Sequence, residues 1–307
     1  MNMSLRQLYH FVTVCDEKHF GRAAERLALS QPALSRSIKA LEDAYGLVLL
    51  ERHASGTSVT RAGEDVLRIA RQILQNAAHL DETLKAEAGG QAGTVYAGIA
   101  PVAASVALSD ICIKVLKSRP RIRFYTDVQP NISLHEHLAA ATYDFLLCPK
   151  EFAQNRQTFE FRTAGKLPLG VIVRPDHPLA GKRAITLEAL DRFPIIGAHP
   201  TPIGRQARID PSALFHALEY LNLSCDNYDV LARVTAETDA VWISSPLSAR
   251  RELAAGKLTL LDHHSLEIPD SLELAVVTIR DAILSPATRL VIDDVVETVR
   301  QLTTDYA

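Results

Sequence analysis

The 307-residue sequence predicts an α/β chain in three consecutive parts. These are a helical N-terminal module with a small β-wing, one long helix, and a larger region of alternating strands and helices. Three observations carry that prediction. Apolar residues recur at helical spacing as far as residue 45, in segments separated by turn signals. An apolar seven-residue repeat then runs without a breaker from Val66 to Leu84. Beyond Gly89-Gly90, short β-prone runs alternate with amphipathic helical stretches, the pattern of parallel-rich sheets covered by helices.

Taken in order, Ser4 with Gln7 makes a capping box that opens the first helix, whose buried stripe is Leu5, Leu8, Phe11, Val12 and Cys15. Ala23, Ala24 and Leu27 form the apolar face of a second, short helix, and Ala28, Leu29 and Ser30 follow as a turn. Ser30 can cap the third helix by accepting from an orphan backbone N–H, and Pro32 fits its first turn. Leu34, Ile38 and Leu41 face inward, while Gln31, Ser35, Arg36 and Lys39 occupy the other face with no acid before Glu42. Such a face suits a DNA major groove, where Arg and Gln meet base edges and Lys meets phosphate. On pattern alone, a merely solvated helical hairpin fits equally well.

Gly46 ends this helix as a left-handed cap. Leu47 to Arg52 and Ser55 to Thr60, around Gly56, read as a two-stranded wing. Thr60 can cap the next helix, expected over residues 61–88. Its stripe of Val66, Ala70, Ile73, Ala77, Leu80 and Leu84 predicts a coiled coil with a second copy, because no nearby segment is free to cover it. The alternative is packing on its own domain. In the third part the candidate strands are Thr94–Ile99, Ile122–Val128, Asp144–Cys148, Leu169–Val173, Pro194–Gly197, Val241–Ser244 and Leu272–Thr278. The candidate helices are Ala103–Lys117, Leu134–Ala141 (opened by a Ser133/Glu136 capping box), Leu187–Arg192, Ser212–Leu221, Leu247–Ala255 and Ala287–Leu302.

Composition narrows the function classes. The net charge of −3 gives no global field that would draw nucleic acid, although residues 20–61 carry a local excess of two positive charges. No apolar run approaches the roughly 20 residues of a membrane span. The N-terminus lacks a signal-peptide layout, so a cytoplasmic location is expected. Cys15, Cys112, Cys148 and Cys225 lie far apart and read as free thiols in a reducing compartment. Phosphate-binding loops and the G-x-S-x-G elbow are absent, so no enzyme and no cofactor is expected. Adjacent helical residues point in different directions, so His135-Glu136-His137 reads as a surface helix rather than a metal site, and His263-His264 as a loop.

The wording of the N-terminal stretch is more specific than its pattern. LRQLYHFVTVCDEKHF at 5–20, AAERLALSQPALSRSIKALEDAYG with LLER up to residue 52, and SVTRAGEDVL at 58–67 together resemble the N-terminal module of LysR-type transcriptional regulators. LAAGKLTLL at 253–261 and the run from Asp270 to Val299 resemble the family's C-terminal part. The resemblance implies a winged helix-turn-helix over 3–60, with the helix-turn-helix itself about 20–39. It implies a linker helix pairing subunits over 61–88, and an effector domain of periplasmic-binding-protein type over 91–307. The lobes map to 91–162 with 268–307, and to 163–267.

DNA contacts are then expected from Gln31, Pro32, Ser35, Arg36 and Lys39, with Arg52 and Thr60 anchoring the wing to phosphate. A small effector is expected in the cleft, against Pro101, Val102, Ala103 and Ser105, Gln129, His199 and Thr201, and a wall at Thr235 to Thr238. Glu237 stands where the family often has small residues, which disfavours a carboxylate effector if the side chain faces the cleft. Arg205, Arg208 and Lys150 could reverse that sign. The implied partners are double-stranded DNA bearing an interrupted palindrome, a small molecule, further copies of the chain as dimer and tetramer, and RNA polymerase. The alternative is a DNA-binding or architectural protein whose cleft is vestigial.

Overall fold

A computed structural model describes residues 3–53, 56–87, 92–150, 157–182, 185–198, 221–262, 266 and 269–304. The chain divides into two compact units, one chiefly of residues 1–90 and one chiefly of residues 91–307.

The first unit is organised around α1 (Leu5–Glu17). The Ser4–Gln7 capping box forms in both directions, and Leu8, Phe11, Val14 and Cys15 are buried. Helix α2 (Phe20–Arg26) and helix α3 (Gln31–Tyr45) pack on it. The turn between them places Ala28 at φ 52°, and Ser30 accepts from the Ala33 N–H to cap α3. Gly46 ends α3 at φ 66°, a left-handed conformation that only glycine adopts freely. Strands β1 (Leu50–His53) and β2 (Gly56–Val59) pair antiparallel as the wing, in register from Leu50↔Val59 to His53↔Gly56.

Helix α4 (Arg61–Glu87) occupies the stretch 61–88 where a long helix was expected, but its stripe is covered differently. Ala70 is buried, and Val66, Leu67, Ile73 and Leu74 pack on the core of the same unit. Only the C-terminal half of the stripe stands clear, with Leu80 61% and Leu84 62% exposed. The repeat was therefore read too uniformly. Gly63 lets α4 lie against the wing, since a Cβ there would sit 2.2 Å from the Leu49 carbonyl oxygen. That approach brings the first turns of α4 onto the core.

The second unit holds two five-stranded sheets. The first has the order β4-β3-β5-β12-β6 and comprises β3 (Gly93–Ile99), β4 (Ile122–Val128), β5 (Phe145–Pro149), β6 (Phe159–Pro168) and β12 (Ser271–Ile279). β3 runs parallel to β4 and β5, and β12 runs antiparallel to β5 and β6. The second has the order β11-β7-β10-β8-β9 and comprises β7 (Gly170–Val173), β8 (Ile195–Gly197), β9 (Leu223–Ser224), β10 (Val241–Ser244) and β11 (Thr259–Leu261). β8 runs parallel to β9 and β10, and β7 antiparallel to β10 and β11.

The chain passes between the sheets twice. β6 runs into β7 through Leu169, whose N–H donates to the Asp270 carbonyl at 2.9 Å, just before β12 begins. Because β6 pairs with β12 as far as Pro168↔Ser271, lobe one extends to residue 168 and the expected boundary at 162 is too early. β6 was missed in the sequence because FEFRTAGKLP carries three charges and a glycine and lies at a sheet edge. β9 and β11 were missed because two or three residues hold no period.

Covering the first sheet are α5 (Pro101–Ala103), a π-helical turn (Ala104–Leu108) and α6 (Ser109–Ser118) as one stretch, with α7 (Asn131–Ala139) and α11 (Pro286–Thr304). α7 starts two residues before Ser133, so the expected capping box with Glu136 does not form. The second sheet carries α8 (Leu187–Leu190), α9 (Tyr228–Glu237), a 3₁₀ turn (Pro246–Ala249) and α10 (Arg250–Ala254). The expected helix Ser212–Leu221, apart from Leu221, lies outside the described residues, as do Gly89, Gly90 and His263-His264.

Candidate DNA-reading face and interlobe cleft

On α3, Gln31, Pro32, Arg36 and Lys39 are exposed and Ser35 is half-buried. The opposite side of the helix is fixed in the core by Leu34, Ile38 and Leu41. Among the described residues, Arg36 and Lys39 have no side-chain partner. Not every base of the module is so placed. Glu17, near the end of α1, takes up Arg26 at 2.9 Å and Arg22 at 3.7 Å, and Asp16 takes up Arg71. Among the described residues, the bases of 20–61 left without an acidic partner are thus Arg36 and Lys39 on α3, Arg52 on the wing, and Arg61.

The two wing residues both make contacts within the chain. The Arg52 guanidinium carbon lies 4.1 Å from the Phe20 ring centroid, so the side chain is held flat on α2 while still exposed. The Thr60 hydroxyl donates to the Val48 carbonyl at 2.8 Å and accepts from the Gly63 N–H at 3.0 Å. Thr60 therefore ties the wing to the start of α4 and caps that helix, and its hydroxyl proton is not available to a phosphate. A positioning contact with no sequence signal joins α1 to α3: His10 Nδ1 and Ser37 Oγ lie 2.7 Å apart. Burial, with Arg6 nearby, lowers the His10 pKa below its ordinary value.

In the second unit, the carboxyl ends of β3 and β10 lead into helical stretches that meet. The Ala104–Leu108 turn lies against the Pro246–Ala249 turn, and Ser105 Oγ is 2.9 Å from Ser248 Oγ. The carboxyl edges of both sheets thus border one cleft, the edge at which open α/β folds bind ligands. Ala100 precedes α5 with no side-chain cap, which leaves the N–H groups of Val102 and Ala103 as donors at that edge. Val102 and Ser105 are half-buried, Pro101 and Ala103 buried. Gln129 is half-buried and its N–H donates to the Ile99 carbonyl at 3.2 Å, beside the end of β3. These residues are brought together.

The wall expected at Thr235 to Thr238 is not. α9 runs antiparallel to β8 and β10, as a crossover helix must, so its last residue Glu237 is exposed at the amino edge of the sheet, away from the cleft. Thr235 is buried and its hydroxyl donates to the Leu231 carbonyl. The acid at 237 therefore carries no argument about effector charge. Lys150 pairs with Glu273 at 2.9 Å, and Glu273 also accepts from the Thr163 hydroxyl; together these hold its carboxyl below the usual carboxylate range. His199, Thr201, Arg205 and Arg208 lie outside the described residues. His135 is buried with its ring edge on Phe159, and His137 Nδ1 faces the Ser133 carbonyl at 2.6 Å. Among the described residues no helix is long and apolar enough to cross a membrane.

Comparison with known proteins agrees with both halves of this description. Residues 5–64 match the family model "Bacterial regulatory helix-turn-helix protein, lysR family", and residues 88–300 match "LysR substrate binding domain". The SDS degradation transcriptional activation protein of a Pseudomonas species is 30% identical over 260 residues, covering 84% of each chain. The regulator AlsR of Bacillus subtilis is 31% identical over 229 residues, covering 71% of this chain and 75% of its own. Among solved structures, a variant of full-length OxyR from Pseudomonas aeruginosa superposes with a TM-score of 0.72 at 22% identity, over 97% of this chain and 95% of that one. Full-length LysG from Corynebacterium glutamicum, solved with bound arginine as effector, superposes at 0.66 with 18% identity, over 97% and 98%. The chain belongs to the LysR family of bacterial transcriptional regulators, DNA-binding proteins that join a helix-turn-helix to a substrate-binding domain.

Proposed function

We propose that this protein reads an interrupted palindrome in promoter DNA as a dimer, and that a small molecule in the interlobe cleft sets its output. The observation that carries the first part is the α3 face: Gln31, Arg36 and Lys39 exposed, with both cations unpartnered among the described residues. Arg36 reads a base through its fork, and Lys39 and Arg52 meet phosphate. Pairing uses the C-terminal half of α4, where Leu80 and Leu84 are bare, and tetramers form from such dimers. The free N–H groups of Val102 and Ala103, with Ser105 and Gln129, receive the effector. The setting is the bacterial cytoplasm, RNA polymerase is a further partner, and the protein catalyses no reaction.

Genomic footprinting of the purified protein on fragmented bacterial DNA tests this. Enrichment of one interrupted palindrome supports it. Binding that merely weakens with salt and prefers no sequence contradicts it and points to an architectural role. A regulator with a vestigial cleft is the second reading, favoured by Ser105 meeting Ser248 and Lys150 meeting Glu273 within the chain. Stabilisation of the protein by a metabolite in a thermal-shift panel speaks against that reading.

A further inference from the structure

The two lobes are joined by their crossover strands, and among the described residues side chains also tie them at two points. The first is Ser105 to Ser248. Ser105 Oγ lies 2.8 Å from the Val102 carbonyl and 2.9 Å from Ser248 Oγ. A hydroxyl has one proton, so Ser105 donates within its own turn and accepts from Ser248. The second is Asp110 to Arg250, with Oδ2 and Nη2 at 3.1 Å. Ser105 and Asp110 stand on one helical stretch of lobe one, five residues apart, and Ser248 and Arg250 on one stretch of lobe two. At about 1.5 Å per residue the two ties are separated by several ångströms along the lobe-one stretch. One tie would be a pivot, whereas two resist both separation and rotation. The lobe-one end of the first tie sits in a π-helical turn, a rare distortion that concentrates at functional sites.

We propose that Ser105–Ser248 and Asp110–Arg250 form a latch that holds the two lobes closed without any ligand, and that an effector acts by adding to it or breaking it. The regulatory meaning rests on the cleft being an effector site; the latch itself does not. The latch is weak by construction. The Asp110 and Arg250 side chains are each 38% exposed, and an ion pair so wet shifts an equilibrium by about two- to fivefold, less at high salt. Effector coupling is typically about 5- to 150-fold, so a bound molecule can override the latch. A tie much stronger than this would lock the lobes.

The test is an interlobe distance. Spin labels at the exposed positions 117 in lobe one and 257 in lobe two are measured by pulsed dipolar spectroscopy in the full-length protein. Cys112 and Cys225 are replaced by Ser, and labelled chains are diluted with unlabelled ones so that only distances within one chain are read. Asp110→Arg and Arg250→Asp singly should each broaden the distribution towards longer distances, with the extended population rising about two- to fivefold in low salt. The double exchange, which restores an ion pair of reversed sense, should narrow it again. Arg250→Ala, a milder change, should shift it in the same direction as Arg250→Asp. An unchanged distribution in the single variants overturns the latch, as does a double exchange as broad as its parents. A metabolite panel that stabilises nothing would remove the effector reading and leave the latch standing, so the two failures are distinguishable.

Discussion

The proposed DNA-reading face and the proposed effector cleft treat their polar side chains in opposite ways. On α3, Arg36 and Lys39 are left without partners among the described residues, whereas Glu17 holds Arg22 and Arg26 and Asp16 holds Arg71. Around the cleft, Ser105 meets Ser248, Asp110 meets Arg250, and Lys150 meets Glu273. The difference follows from the partner. A DNA backbone supplies anions along its whole length, so cations that wait in water lose little while alone and release counterions on binding. A cleft between two lobes takes its polar groups out of water whether or not a ligand is present, and a half-buried group without a partner costs stability. These side chains therefore pair within the chain, while the Val102 and Ala103 N–H groups are left for a ligand.

Variants that break this contrast should differ in size and in which unit they touch. Leu34 is fully buried beneath the reading face, and Leu34→Ala should destabilise the first unit by about 2–5 kcal/mol. Calorimetry should show one transition falling while that of the second unit stays; a shift of both would mean that the units unfold together. Arg36→Ala should cost about 1–3 kcal/mol of specific DNA affinity and relax specificity at one base position. Equal weakening on every sequence in a binding-selection experiment would instead make Arg36 a phosphate contact. Thr60→Val removes the cap of α4 and should cost about 1 kcal/mol of stability. Because the hydroxyl is spent inside the chain, affinity at fixed salt should fall only as far as folding does, with the salt slope unchanged.

The smallest effect is a slope with pH. In the unfolded chain His10 takes up its proton near its ordinary pKa of about 6.5. The folded chain holds that pKa lower, so the unfolded state binds more protons and stability rises with pH. The first unit should therefore lose stability as pH falls below about 6.5 through the folded value. His10→Gln should flatten that loss in the first unit alone. His177, shifted in the same direction, should preserve the slope in the second unit. Melting curves at pH 7 and 5.5 decide it, and an equally steep loss in the variant would exclude His10 as the cause.

Legibility also differed between the regions. In the first unit each element is specified by signals within a few residues: Ser4 with Gln7, Ser30 before Pro32, Gly46 after Tyr45. The reading face was legible for the same reason, since helical spacing alone separates Gln31, Arg36 and Lys39 from Leu34, Ile38 and Leu41. Thr60 was half legible: its capping role is local, but the Val48 carbonyl that takes its proton is twelve residues away. The stripe on α4 was overread because spacing cannot say what covers it, and Gly63 brings part of it onto the core. In the cleft, residues at the carboxyl ends of strands were found from the βα alternation. The Glu237 wall failed because β9, two residues long, gives no sequence signal, so the helix after it does not read as a crossover that must end at the amino edge.

The sequence by itself determined the three-part plan, the helix-turn-helix with its exposed polar face, the wing, the long helix and the alternating α/β region. These rest on caps, turns and periodicities that act over one or two turns of chain. Only the tertiary structure decided where one lobe ends and the next begins and which half of α4 is bare. It alone joined His10 to Ser37, Ser105 to Ser248 and Asp110 to Arg250. The partners in the last two pairs are separated by 143 and 140 residues, and no local propensity acts across such a distance. They meet because two sheets, each ordered by its own strand pairing, present their carboxyl edges to each other.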